Sequence, residues 1–276
     1  MTKLSLRHVL VDDKRLLSLI ALVIIFICTF TVVPLKAEPA PYVQGFYDVI
    51  ESLGPEDTVF LYDNIGPTNE RESTTVSETP VRRILEKGAK IIWYANVLYA
   101  EIYGRLMLEK ILGAPINESP LYGEQVVLIP YQPIHYFTLA NDPRSVLKKD
   151  FFGTPLSDLP VTENWHSTAD VDVILLRGYF VAYDITVAFV TPYPGIRALE
   201  CGDTGMLSGF GAVYTAGLFQ GLIPGTTAGA QYEGLVGIIG PSSTFMYSGV
   251  VMTAYLLILL AGSSIYYLAK RSSGGS

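Results

Sequence analysis

Thr58-Val-Phe-Leu-Tyr-Asp63 and Lys90-Ile-Ile-Trp-Tyr-Ala95 are short runs rich in β-branched and aromatic residues, preceded by the turn formers Gly54-Pro55 and Gly88. Neither alternates polar with apolar. A continuous apolar strand belongs in a sheet covered on both faces, the usual setting of parallel strands. Three later runs share the pattern: Gln125-Val-Val-Leu-Ile-Pro-Tyr131, Val171-Asp-Val-Ile-Leu-Leu176 and Ile196-Arg-Ala-Leu-Glu-Cys201. Helical periodicity separates them. Pro41 to Leu53 places Val43, Phe46, Tyr47, Ile50 and Leu53 on one face. A polar loop, Asn64 to Thr75, follows the first strand. Thr79-Pro80 reads as a helix start and Gly88 as its stop. Leu98 to Leu112 is a helix closed by Gly113, and Phe180 to Val190 is read as another. Leu207 to Phe219 and Thr226 to Val236 read as small-residue helices. Strands alternating with helices predict an α/β fold: an open, mainly parallel, Rossmann-like or flavodoxin-like three-layer domain.

The remaining apolar excess lies outside this pattern. The chain has 276 residues, 50% hydrophobic and only 16% charged, with mean hydropathy +0.35. Soluble domains carry about 25% charged residues. Leu16 to Val33 and Tyr247 to Leu268 hold no charge at all. A membrane-spanning helix needs about 20 apolar residues, so both stretches predict spans. Tyr247, Tyr266 and Tyr267 flank the second as interfacial aromatics, ahead of Lys270-Arg271. The first is read as an uncleaved signal anchor; cleavage after Ala37 or Ala40 is the alternative. The expected organisation is a cytoplasmic segment 1–15, a span 16–35, an extracytoplasmic α/β domain 36–245, a span 246–269 and a cytoplasmic tail 270–276. Charge sets this orientation. Lys3, Arg7, Lys14, Arg15, Lys36, Lys270 and Arg271 flank the spans, and basic flanks stay in the cytoplasm. The domain between is acidic, and the whole chain carries net charge −7.

In an open parallel sheet, ligands sit beyond the carboxyl ends of the strands. That rule makes Asp63, Asn64, Asn96, Gly202 and Asp203 the candidate ligand-binding residues, with Tyr131 and Arg177 also at strand ends. Gly217, Gly221, Gly225 and Gly229 recur every four residues, the spacing of close helix packing or an oligomer contact. Glycine-rich turns also hold phosphate, but neither G-x-G-x-x-G after the first strand nor G-x-x-x-x-G-K-[ST] occurs. Cys201 with His135 or His166 lacks the sharp elbow that exposes a nucleophile, so no catalytic residue is assigned. His8, His135 and His166 form no zinc signature, and Asp63 with Glu70, Glu72 and Glu78 forms no calcium loop, so no metal and no cofactor are expected. The acidic domain has no basic patch and predicts no nucleic-acid partner. The 18 tyrosines, clustered at Tyr94, Tyr99, Tyr103 and at Tyr131, Tyr136, suit protein contacts where exposed.

Three passages taken together carry a resemblance. They are Asp150-Phe-Phe-Gly-Thr-Pro-Leu-Ser-Asp-Leu-Pro160, Ala216-Gly-Leu-Phe-Gln-Gly-Leu-Ile-Pro-Gly225 and Ala228-Gly-Ala-Gln-Tyr-Glu233. In that order, before a terminal span, the chain resembles a family of uncharacterised prokaryotic two-span membrane proteins with a Rossmann-like domain, whose members read YYGTPLSELP and then SGQLVGLLGGLKGAAEYE. The resemblance implies anchoring and a fold, and no activity. The chain departs from it at Pro224, at Thr226-Thr227 in place of a Leu-Lys pair, and at Gly202-Asp-Thr-Gly205.

Two functions are therefore expected as alternatives. One is an interaction or assembly subunit of a membrane complex, whose partners are the lipid bilayer and other membrane subunits or further copies of the chain. The other is a membrane-bound enzyme or sensor that takes a small anionic ligand in the strand-end crevice.

Overall fold

The computed structural model describes residues 14–30, 38–178, 184 and 186–273. Two compact units emerge: residues 35–242, and residues 1–34 with 243–276. The described helices are α1 (Lys14–Phe30), α2 (Pro41–Glu51), α3 (Glu70–Glu86), α4 (Leu98–Leu112), α5 (Tyr136–Asn141), α6 (Pro143–Val146), α7 (Leu207–Thr215), α8 (Gly225–Val236) and α9 (Pro241–Ser273). The strands are β1 (Thr58–Asn64), β2 (Lys90–Ala95), β3 (Val126–Ile129), β4 (Val173–Gly178), β5 (Arg197–Gly202) and β6 (Gly221–Pro224).

All six strands are parallel, in the order β3-β2-β1-β4-β5-β6. This is the Rossmann order, and it excludes the flavodoxin-like alternative, whose order is 2-1-3-4-5. Both faces are covered, as the unbroken apolar strands require. Val59, Leu61, Trp93, Leu128, Leu175 and Leu199 pack on one side with α2, α3, α4 and α8. Phe60, Tyr62, Tyr94, Ile129, Leu176 and Ala198 pack on the other, under α5, α7 and the turn Thr186–Val190. The strand order reverses between β1 and β4, which pair from Val59↔Val173 to Asn64↔Gly178.

Three expectations need correction. First, α3 begins at Glu70, not at Thr79-Pro80, and Pro80 lies within the helix. Proline gives up one ladder bond there; burial of Val76, Val81, Ile84 and Leu85 along one helix holds the fold together through it. Second, a sixth strand, Gly221–Pro224, separates the two small-residue helices. Third, the four spaced glycines do not form one helical stripe. Gly217 is in a turn at φ +75°, Gly221 is in β6, Gly225 opens α8 at φ +77°, and Gly229 is inside α8. Gly221 does serve close packing, but of strand on helix: a Cβ there would meet the Phe46 amide nitrogen of α2 at 2.1 Å. Of the helix expected over 180–190, residues 180–183 and 185 lie outside the described residues, and its end, Thr186–Val190, is helical with π-type winding.

The passages that carry the family resemblance have structural roles. Asp150 is buried and accepts from the amides of Phe152 (2.9 Å) and Thr154 (2.7 Å) and from Tyr122 Oη (3.0 Å). It thereby closes the turn that Gly153 completes at φ +87°. In α8, Gln231 Oε1 accepts from Ala40 N (3.2 Å), where the chain comes into the domain. Two residues on, Glu233 accepts from the amides of Gly240 (3.1 Å) and Ser242 (2.8 Å), where the chain leaves it. A carboxylate on the first amides of a helix is the favoured charge at that end. Gly229 makes the approach possible, since a Cβ there would lie 2.3 Å from Ser242 Oγ.

Residues 241–265 of α9, most of them in the other unit, are long and apolar enough to cross a membrane: an 18-residue stretch has mean hydropathy 1.9 and no buried residue. The described part of α1 is 17 residues, rising about 25 Å. Residues 31–35 of the expected first span lie outside the described residues.

Replacing Asp150 by alanine leaves two amides and a phenol without their acceptor. The full chain in maltoside is expected to lose about 1–3 kcal/mol of stability, read as a fall in melting temperature of roughly 2–4 °C per kcal/mol.

Candidate functional site

The reversal point between β1 and β4 is where a sheet of this order normally opens to a ligand. Here it is filled. Asp63 at the end of β1 and Arg177 at the end of β4 are adjacent in register and fully buried. Arg177 Nη1 donates to Asp63 Oδ2. Trp93 Nε1 donates to the same oxygen at 2.9 Å, and the Ile65 amide donates to Oδ1 at 3.2 Å. The guanidinium is itself enclosed. Its Nε donates to Ser77 Oγ (2.8 Å), its Nη2 donates to Thr74 Oγ1 (3.1 Å), and its carbon lies 5.1 Å from the Trp93 ring centroid. Burial pushes the Asp63 carboxyl above its ordinary value, and Arg177, the indole and the amide oppose that rise. All its partners are donors, which is the environment of a carboxylate. Gly178 then brings β4 against β1: at φ +107°, a Cβ there would sit 2.8 Å from the Asn64 carbonyl.

The expected strand-end residues therefore divide. Asp63 and Arg177 are core. Gly202 is buried at the end of β5. Asn64 and Asp203 line a shallow crevice of about 520 Å³ with Gly66, Thr68, Asn69 and Tyr99. Asp203 accepts from the Gly205 amide (2.9 Å), a local turn. Asn96 Nδ2 donates to Asn64 Oδ1 (3.0 Å). Among the described residues the crevice lining carries Asp203 and no lysine or arginine, and α3 opens beside it with Glu70 and Glu72. Those charges oppose an anion at a helix N-terminus that would otherwise favour one. Gly225 at the start of α8 is closed off too, since a Cβ would meet Thr204 Oγ1 at 2.3 Å and Glu72 Oε1 at 2.7 Å.

A larger cavity of about 670 Å³ opens beyond β2 and β3. Asn96 and Tyr131 belong to it, together with His135, Tyr136, Phe137 and Asp184. The signal for it in the sequence is the aromatic density of Tyr131-Gln-Pro-Ile-His-Tyr-Phe137; Asp184 has no such signal and arrives from a distant segment. Cys201 is buried on the opposite face of the sheet, and burial pushes its thiol well above the ordinary value, so a thiolate is disfavoured there. His166 lies in a loop whose amide donates to Asp170 Oδ2 (2.9 Å). No group of three metal-ligating side chains occurs among the described residues.

Glu200 is the anomaly of the domain. It is fully buried in β5 between Leu176 and Leu222, and neither carboxyl oxygen meets a hydrogen-bond partner among the described residues. Burial, with Asp203 adding to it, pushes its carboxyl well above the ordinary value.

No protein-family model, curated protein or solved structure matches this chain.

Two outcomes follow from the buried charges. Arg177→Met strands Asp63 without its counter-charge and is expected to cost about 3–5 kcal/mol in chemical denaturation. Asp63→Leu combined with Arg177→Met is expected to cost less than that single change. Glu200 acts in the opposite sense to a salt-bridged acid. Its folded-state pKa is raised, so the fold binds a proton that the unfolded chain releases above about 4.5. Its contribution is fully present below that pH and is lost as pH rises toward the folded value. Stability of wild type relative to Glu200→Gln is therefore expected to fall with pH above 4.5, by at most about 1.4 kcal/mol per unit. A difference that is flat with pH would contradict it.

Proposed function

We propose that this chain is a membrane-anchored Rossmann-like domain that serves as an interaction or assembly subunit of a membrane protein complex. The observation that carries the reading is the outer face of α4. A helix covering a sheet normally turns a polar face to water. Leu98, Ile102 and Leu106, at successive i, i+4 positions, are 59%, 47% and 50% exposed, and Tyr99 beside them is 50% exposed. The inner face of the same helix buries Ala100, Gly104, Met107 and Leu108. Gly104 lets that face lie on Trp93, 3.1 Å from a would-be Cβ. The helix is thus apolar on both sides, and only one side is used by the domain. Contiguous apolar surface rimmed by charge, here Glu101, Arg105, Glu109 and Lys110, is the mark of a protein contact.

The apolar segment 241–265 supports anchoring in a membrane. The uncharged run Leu16 to Val33 and the basic residues flanking both stretches support two spans with both termini cytoplasmic and the domain outside. The resemblance to a two-span family accords with the same reading. The crevice lining, acidic and without a base among the described residues, weighs against the anionic-ligand alternative.

The chain extracted in mild detergent is expected to run as a homo-oligomer or with a stoichiometric second subunit, measured by light scattering and mass spectrometry. Ile102→Glu is expected to release it to a single copy with stability changed by no more than about 0.5 kcal/mol, as befits an exposed position. A strictly monomeric wild-type chain with nothing bound would sink the proposal. Orientation has its own test. Cysteine placed at the exposed Thr68 is expected to react with an impermeant maleimide in intact cells; labelling only after lysis would reverse the topology.

A further inference from the structure

We infer that the aromatic cavity beyond β2 and β3 is a binding site for a small organic cation of the substituted-ammonium class. The inference does not depend on the α4 surface. Its wall is one short segment, residues 131–137, that carries four rings: Tyr131, His135, Tyr136 and Phe137. The cavity lining also includes Asp184, with Asn96 at the end of β2 as a neutral polar group. Among the described residues, neither lysine nor arginine lines it. Its volume, about 670 Å³, is in the ordinary range for small-molecule sites, and it lies at the carboxyl edge of the sheet, where such folds receive ligands.

The chemistry of the lining selects the charge of the occupant. An aromatic face carries negative quadrupole density and attracts a cation within about 6 Å of its centroid. A carboxylate on the same cavity reinforces that attraction and repels anions. A second carboxylate, Glu101, accepts from the Tyr131 amide (3.1 Å) and keeps negative charge beside the wall. A methylated ammonium suits such a lining better than a bare one, because its methyl groups contact the rings and it needs no hydrogen-bond acceptors.

The wall is also held in place before any ligand arrives. Tyr94 Oη donates to the Gln132 carbonyl (2.7 Å), which fixes the segment to β2. Tyr136 packs edge-on against the buried Tyr62, with ring centroids 6.3 Å apart, and His135 stacks on Phe137 at 5.6 Å. Rigid rings lose little entropy on binding.

The test uses the full chain in maltoside at pH 8, above the ordinary range of histidine. Titration calorimetry compares choline with its uncharged isostere 3,3-dimethylbutan-1-ol and with 3,3-dimethylbutanoate. Choline is expected to bind at least about tenfold more tightly than either. Asp184→Asn and Tyr131→Leu are each expected to weaken choline by about 3- to 30-fold, and Tyr131→Phe to retain it. Both positions are partly exposed, so neither change threatens the fold. A parallel titration with dihexanoyl-phosphatidylcholine separates the sources. Weaker binding than choline supports a free ammonium solute; tighter binding supports the same ammonium class delivered by a lipid headgroup. Equal affinity for the alcohol or the carboxylate, no binding at about 10 mM choline, or variants unchanged from wild type would each overturn the inference.

Discussion

The ion pair between Asp63 and Arg177 is the constraint on which the rest of the domain depends. A charge taken fully out of water is tolerated only when it is paired and its remaining hydrogen-bonding groups are met. That demand fixes the surroundings. Ser77 and Thr74 must come from α3, the indole must come from β2, and β1 and β4 must lie side by side in one register. α3 therefore has to begin early enough to bring Thr74 over the guanidinium, even though Pro80 then falls within the helix. The pair also occupies the point at which sheets of this order usually open. The space left for a ligand is the crevice above the ends of β1 and β5 and the aromatic cavity beyond β2 and β3.

Much of this architecture was readable from residue order, for a definite reason. Strands buried on both faces have to be apolar throughout, so Thr58–Asp63 and Lys90–Ala95 declare themselves without any periodicity. Leu98 to Leu112 was equally plain, because Gly113 supplies the left-handed cap, at φ +71°, that ends it. β6 was hidden because Gly221-Leu-Ile-Pro224 is short and begins with a glycine chosen for the closeness of Phe46 rather than for extended structure. Proline at position 80 read as a helix start because local propensity favours that place; tertiary contacts overrode it. The spacing of Gly217, Gly221, Gly225 and Gly229 is a coincidence of three different demands: a turn, a strand under a helix, and room for Thr204 or Ser242 side chains.

The candidate site was legible only in part. Strand ends can be found from strands, so Asn64, Asn96 and Asp203 were correctly placed at the carboxyl edge. Whether such a residue is open or enclosed depends on partners far away in the chain. Asp63 looks like a ligand group in the sequence and is core in the fold because Arg177, 114 residues later, meets it. Asp184 shows the converse: it reaches the cavity wall from a segment whose sequence gives no hint of it.

Both places where the chain meets the domain's boundary are fastened to one helix. Within five residues of α8, Gln231 holds Ala40 while Gly229 and Glu233 receive Ser242. A fold whose two ends are secured on the same helix is a cassette: it can be carried between different flanking sequences without disturbing its core, because no strand terminates at the seam. On that view the sheet and its cavities form one heritable part and the hydrophobic flanks another. Each can change in length or kind while α8 keeps the two ends of the domain, at Ala40 and Ser242, in place.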